Sequence, residues 1–187
     1  MVLGGRDVRD YDMDSLMQNF SFVFQNVYLF RDTIANNIRF GNPEAPIEDV
    51  IAAAKAAHIH SFIERLPQGY DTVIGEGGTA ISQGQRQLMC IARVMLRPPK
   101  VLILDEATSS VDTRTEQLIQ RAFRRLAKGR TSIIVAHRLS TIRDADEIIY
   151  MRDGMILERG THEELIARGG AYCELYNSQF EAVSIGV

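Results

Sequence analysis

The chain has 187 residues, 45% hydrophobic and 24% charged, which suits one globular domain with a sizeable core. A formal charge of −3 gives no electrostatic case for nucleic-acid binding. The two cysteines, Cys90 and Cys173, form no metal-type cluster, and no stretch approaches the roughly 20 apolar residues of a membrane span. A soluble chain with inert thiols is expected, with any membrane segments carried elsewhere.

Residues 1–5 look like a strand end and a turn, and 14–19 suit a short helix capped by Asp14. Phe20-Ser21-Phe22-Val23-Phe24 is β-prone and stops at Gln25. Beyond a proline-bearing link at 42–46, residues 47–57 predict an alanine-rich helix and 59–66 a second one ending at Pro67. His58 and His60 lie two apart without the company a metal site needs, so both are expected to be structural. The glycine-rich stretch 69–79 does not open a helix after a strand, which weakens a dinucleotide-binding reading.

The most informative stretch runs from Ile81 to Asp112. A small polar loop, Ser82-Gln83-Gly84-Gln85, precedes Leu88, Ile91, Ala92 and Met95, which share one face of a helix. In that loop Gly84 is a place where backbone could approach a ligand closely. Pro98-Pro99 ends the helix. Val101-Leu102-Ile103-Leu104 then has the pattern of a parallel strand buried on both faces, and it stops on Asp105-Glu106. Paired carboxylates at such a strand end suit one holding Mg²⁺ and the other activating water.

After Asp112 a helix is predicted to about Lys128, with Leu118, Ile119, Ala122, Phe123 and Leu126 as its buried stripe. Residues 132–136 are a further buried strand ending on His137. Residues 147–151 and 155–158 form a hairpin through Asp153-Gly154. Thr161 and Glu164 make a capping box for a helix ending at Gly169-Gly170, and the tail is helix-like to about Phe180. The alternation predicts an α/β core with parallel strands whose C-terminal ends carry Gln25, Asp105 with Glu106, and His137. Phosphoryl transfer to water fits such a set, since its catalysis is mostly positioning and charge neutralisation.

ISQGQRQ followed by VLILDEATSSVD resembles the signature motif, Walker B and D-loop of an ABC-transporter ATPase domain. The run from Leu29 to Ile38 is similar to the exporter branch, which includes multidrug and lipid exporters. The resemblance implies a P-loop NTPase-like ABC ATPase core plus a helical subdomain. Residues of about 26–84 would hold the Q-loop, helical subdomain and signature. Residues of about 85–187 would hold Walker B, the D-loop, the switch histidine and the C-terminal helices.

Roles follow from the same resemblance. Asp105 would hold Mg²⁺ through water, Glu106 would polarise the attacking water, and Gln25 would sense Mg²⁺ and the γ-phosphate. His137 would bond the γ-phosphate. Ser82, Gln83, Gly84 and Gln85 would meet ATP held by a second, head-to-tail ATPase domain, and Ser110 and Asp112 would cross that interface. Glu76 matches the x-loop glutamate that faces the transmembrane partner. Ile81 and Gln83 stand where the commonest family pattern has Leu and Gly; Ser82 and Gly84 are kept.

One element of the pattern is absent. Lys55, Lys100 and Lys128 follow Ala54, Pro99 and Ala127, so no Gly-Lys of a Walker A loop occurs in the sequence. The resemblance thus covers the family domain from just after the Walker A helix, with the N-terminal part incomplete. A strand that would lie beside the one ending at His137 is missing, which should leave unpaired backbone on two strands. The implied function is the ATP-binding and ATP-hydrolysing domain of an exporter, on the cytoplasmic face of a membrane and joined to transmembrane domains. This chain alone is expected to turn over little or no ATP. A non-catalytic accessory chain lending its signature loop to a partner is the alternative. A chromosome-maintenance ATPase is disfavoured by the absence of coiled-coil heptads.

Overall fold

The computed structural model describes residues 2–24, 27–75, 81–106, 111–136 and 139–184, apart from the side chains of Glu106, Ser140 and 180–184. The chain divides into two compact units, Met1–Val135 and Ala136–Val187.

The first unit opens with a hairpin of β1 (Val2–Leu3) and β2 (Arg6–Asp7), followed by α1 (Met13–Met17). The cap of α1 is Asp12 rather than Asp14, because the Asp12 carboxylate accepts the Ser15 amide at 3.1 Å. Next comes β3 (Phe20–Val23), then a two-residue strand, β4 (Asp32–Thr33), leading into α2 (Ile34–Arg39) and α3 (Ile47–Ala56). The predicted second helix shrinks to α4 (His60–Ile63). Turns toward Gly69 close it early: the Leu66 amide bonds Ile63 and the Gly69 amide bonds Leu66. His60 is held there by the Tyr70 hydroxyl at 2.9 Å and by Glu64 at 3.2 Å, a bracing role.

A short strand, β5 (Val73–Ile74), pairs antiparallel with β4. Then α5 (Gln83–Leu96) crosses the unit, followed by β6 (Val101–Glu106), α6 (Thr113–Ala127) and β7 (Thr131–Ala136). The main sheet has the order β3-β6-β7, and β3 runs parallel to β6 with Phe22 beside Ile103 and Val23 beside Leu104. On one face Val23, Leu102, Leu104 and Ile134 meet the apolar sides of α5 and α6, with Leu88, Ile91, Ile119 and Leu126 in a single core. This is the α/β architecture with parallel strands that the sequence predicts.

The other face departs from the expectation of buried strands. Ile133 and Val135 of β7 are half exposed, as are Phe22 and Phe24 of the β3 segment, whose rings stack 5.6 Å apart. β7 alternates in exposure because its Ile134 side packs with the helices of the core, while on its other side Ile133 and Val135 stay half exposed among the described residues. Among the described residues β7 lies at a sheet edge, and β8 (Ile148–Arg152) pairs with β9 (Met155–Gly160) alone.

The second unit is that hairpin with α7 (His162–Arg168) and α8 (Ala171–Ser184). Its turn, Asp153-Gly154, has positive φ at both residues, 51° and 76°, which matches the twist of the strands. Thr161 and Glu164 form the predicted capping box. Leu139, Ile148, Leu165 and Tyr172 make a separate small core, where the buried His162 ring bonds the Tyr172 hydroxyl at 2.9 Å.

Candidate functional site

The signature stretch is a helix head rather than a free loop. Ser82 is the N-cap of α5: its Oγ accepts the Gln85 amide at 3.3 Å, while Gln85 Oε1 accepts the Ser82 amide at 3.0 Å. This reciprocal box fixes the turn, and Arg86 Nε tightens it by donating to the Ile81 carbonyl at 3.1 Å. Ser82 remains exposed. Its oxygen uses a lone pair for the cap and keeps the O–H proton available to an outside acceptor. The amides of Gln83 and Gly84 precede the first residue able to find an intrahelical acceptor, and the helix dipole adds positive potential there. The arrangement suits an anionic oxygen.

Gly84 is buried in the first turn of α5. A Cβ there would run into the Thr115 methyl and lie 2.9 Å from Val111 Cγ1. The head of α5 is thus packed directly on the head of α6, where Asp112 caps Thr115 through its amide at 3.0 Å. Those bonds to Thr115 hold the Asp112 carboxyl below the usual carboxylate range. Ser82, Gln83, Gly84, Gln85 and Asp112 therefore form one cluster at two helix heads.

Asp105 stands on another element. Residues alternate along β6, so Asp105 shares the side of Ile103 rather than that of the buried Leu104, and it is half-buried at the end of the strand. That side is the uncovered face carrying Phe22 and Phe24. Among the described residues no Lys or Arg pairs with Asp105. A hard carboxylate with no resident cation fits a Mg²⁺ ion, which takes one or two carboxylates along with water and phosphate oxygens. Glu106 closes β6 in the backbone, but its side chain lies outside the description. Gln25, Glu76, Ser110 and His137 also lie outside the described residues.

A second polar centre was not foreseen. Asn37 is buried and buckles the segment before α2 onto the helix. Its Oδ1 accepts the Phe30 amide at 2.8 Å, and its Nδ2 donates to the carbonyls of Phe30 and Thr33, both at 3.0 Å. Its own carbonyl accepts from Arg93 Nε of α5 at 2.9 Å. The Arg93 guanidinium lies 5.8 Å from the Phe30 ring and 5.3 Å from the Phe40 ring. Burial pulls its pKa down, and among the described residues Nη2 has no hydrogen-bond partner. Above it, Phe40 is 60% and Tyr28 72% exposed, so an aromatic patch lies over a half-buried cation. The only trace in the sequence is an arginine set among the apolar residues of a core helix.

Comparison with known proteins shows what the chain is similar to. The family profile described as ABC transporter matches residues 1–109. An ABC transporter ATP-binding protein of Bacillus subtilis is 52% identical over 181 residues, covering 97% of this chain and 30% of that protein. An ATP-dependent lipid A-core flippase of Vibrio cholerae is 53% identical, covering 96% of this chain and 31% of the flippase. P-glycoprotein 14 of Caenorhabditis elegans is 48% identical over 96% of the chain and 14% of its own length. A solved bacterial Atm1-family ABC exporter with ATP bound superposes with a TM-score of 0.84 at 45% identity, covering 94% of this chain and 31% of that one. The chain thus spans about a third or less of the relatives it matches.

Proposed function

The chain belongs to the ABC transporter family, and from that premise we propose that it is the signature-bearing part of an exporter's ATP-hydrolysing domain. The capped head of α5 carries this reading: an exposed serine that keeps its O–H, on a helix start with free amides, is built to receive a phosphate. In that reading Ser82 and the amides of Gln83 and Gly84 contact the γ-phosphate of ATP held by a second, head-to-tail ATPase domain. Gln85 fixes the turn through its box, and Asp112 with Ser110 lies along the shared interface.

Asp105 would hold Mg²⁺ through water, with Gln25 as a further contact. Bound there, the ion would offset phosphate charge. Glu106 would take the proton of the attacking water, and His137 would steady the γ-phosphate. A phosphate-binding loop and its helix, carried outside this sequence, would cover the bare face with Phe22, Phe24, Ile133 and Val135. The exposed Tyr28–Phe30–Phe40 patch is proposed as the seat of the transmembrane segments. Among the described residues no helix is long and apolar enough to cross a membrane, so those segments would come from outside this sequence. In that reading the domain would lie on the cytoplasmic face of the membrane. What is exported is set by segments absent from this sequence.

The test is association with an intact ATP-binding domain of the same family. Capture of this chain should require ATP and should vanish in Ser82→Arg, whose side chain fills the phosphate position. Capture indifferent to ATP would sink the reading. The isolated chain should show negligible magnesium-dependent hydrolysis; hydrolysis that disappears in Glu106→Gln would overturn the assignment of the phosphate loop to residues outside it. A non-catalytic accessory chain that lends its signature loop to a partner's ATP site is the second reading, supported by the fully built turn at Ser82.

A further inference from the structure

We infer that Thr115 and Val111 are positioning residues for the turn that presents Ser82, and that this packing is what requires glycine at position 84. The inference rests on the reading of Ser82 as an ATP contact.

The place of a Gly84 Cβ is already taken from the α6 side, by the Thr115 methyl and by Val111 Cγ1 at 2.9 Å. Thr115 cannot easily turn aside. Its χ1 is stiff because it is β-branched, and its amide is held by Asp112 Oδ1 at 3.0 Å while its hydroxyl bonds the same carboxylate. On its other side the turn is locked by its own box between Ser82 and Gln85. The turn that carries Ser82 is therefore packed on the first turn of α6 at Gly84 and closed by its own capping box at Ser82 and Gln85. That first turn is in turn the exit of the segment that follows Asp105 and Glu106. A phosphate contact at the amide of residue 84 would not by itself demand glycine, since every residue but proline has that N–H.

Three side chains separate the contributions at position 115. Thr115→Ser keeps the hydroxyl and loses the methyl; Thr115→Val keeps the methyl and loses the hydroxyl. Amide hydrogen exchange on the isolated chain reads the turn directly at Gln85 and Arg86, whose amides bond Ser82 Oγ and the Ser82 carbonyl. Exchange there should quicken about fivefold in Thr115→Ser, while Thr115→Val stays near the parent. The Ala57 amide of the α3 end, bonded to Ala53, should not change. Gly84→Ala should quicken exchange further, and Gly84→Ala combined with Thr115→Ser should bring it back toward the parent. Equal exchange in Thr115→Ser and the parent, parallel changes at Ala57, or no relief in the double variant would each overturn the inference.

The same variants enter the ATP-dependent capture assay. Capture lost in Thr115→Ser and kept in Thr115→Val supports positioning at the ATP contact. Equal capture in both, despite altered exchange, overturns that part. If the parent itself is not captured, the reading of Ser82 fails, and the packing claim is still decided by exchange.

Discussion

Ser82 serves both the fold and the proposed chemistry through one oxygen, so its substitutions should separate the two. Ser82→Ala removes the cap and should cost about 1 kcal/mol of stability in urea denaturation, along with ATP-dependent capture. Ser82→Asn, which can cap, should restore the stability without restoring capture. Asp112 offers a pH signature. Its folded pKa lies below the unfolded value of about 3.9, so its contribution is complete above that value and fades as pH falls through the folded one. Melting temperature should therefore drop on acidification below about pH 4 less steeply in Asp112→Asn than in the parent. At this scale the capped turn was legible. Ser-x-x-Gln is a capping pattern that any reader of helix starts can find, and the strand-end carboxylates follow from the aliphatic run. Choosing Asp14 over Asp12 as a cap failed because two acids two apart satisfy the same pattern, and only the Ser15 amide decides between them. The packing role of Gly84 was invisible, since its neighbours Thr115 and Val111 lie about 30 residues away in the chain.

Among elements, α5 is gripped at both ends by glycine contacts. Near its head α6 packs on Gly84, and near its tail the Gly41 backbone meets the carbonyl of Arg93. Gly41→Ala would force α2 away from α5 and should destabilise the chain by about 1–3 kcal/mol in urea, the range for overpacked sites. Asn37→Ala should do similar harm by leaving several backbone groups unpaired. Phe40→Ala should be mild by comparison, because the ring is mostly exposed. Helix extents were legible where an apolar stripe was long, as in α5 and α6. They were not in the short α4, where turn bonds toward Gly69 replaced the helix that the stripe suggested. Periodicity does not register a bond made by a residue outside the window.

At the scale of the molecule, the dominant fact is the apolar sheet face left exposed among the described residues. Phe22, Phe24, Ile133 and Val135 face outward, whereas a parallel sheet is normally covered on both sides. The isolated chain should self-associate, with light scattering rising at micromolar concentration and falling in Phe24→Ser with Val135→Thr. The α/β class with parallel strands was within reach of the sequence, because buried strands and amphipathic helices announce themselves by pattern; the order of the strands was not read from it. The bare face was not, since an aliphatic run looks the same whether or not its covering layer is present in the chain.

The two thiols fall one to each unit. Cys90 is buried in the first, its ionisation pushed up by burial, and Cys173 is half-buried on α8 of the second. A maleimide added to the folded protein should therefore mark Cys173 promptly and reach Cys90 only when the core around α5 opens. The unmodified chain thus has a reporter in each unit. The lag between the two labels would measure how often the body that carries the signature helix comes apart, without a single substitution having been made.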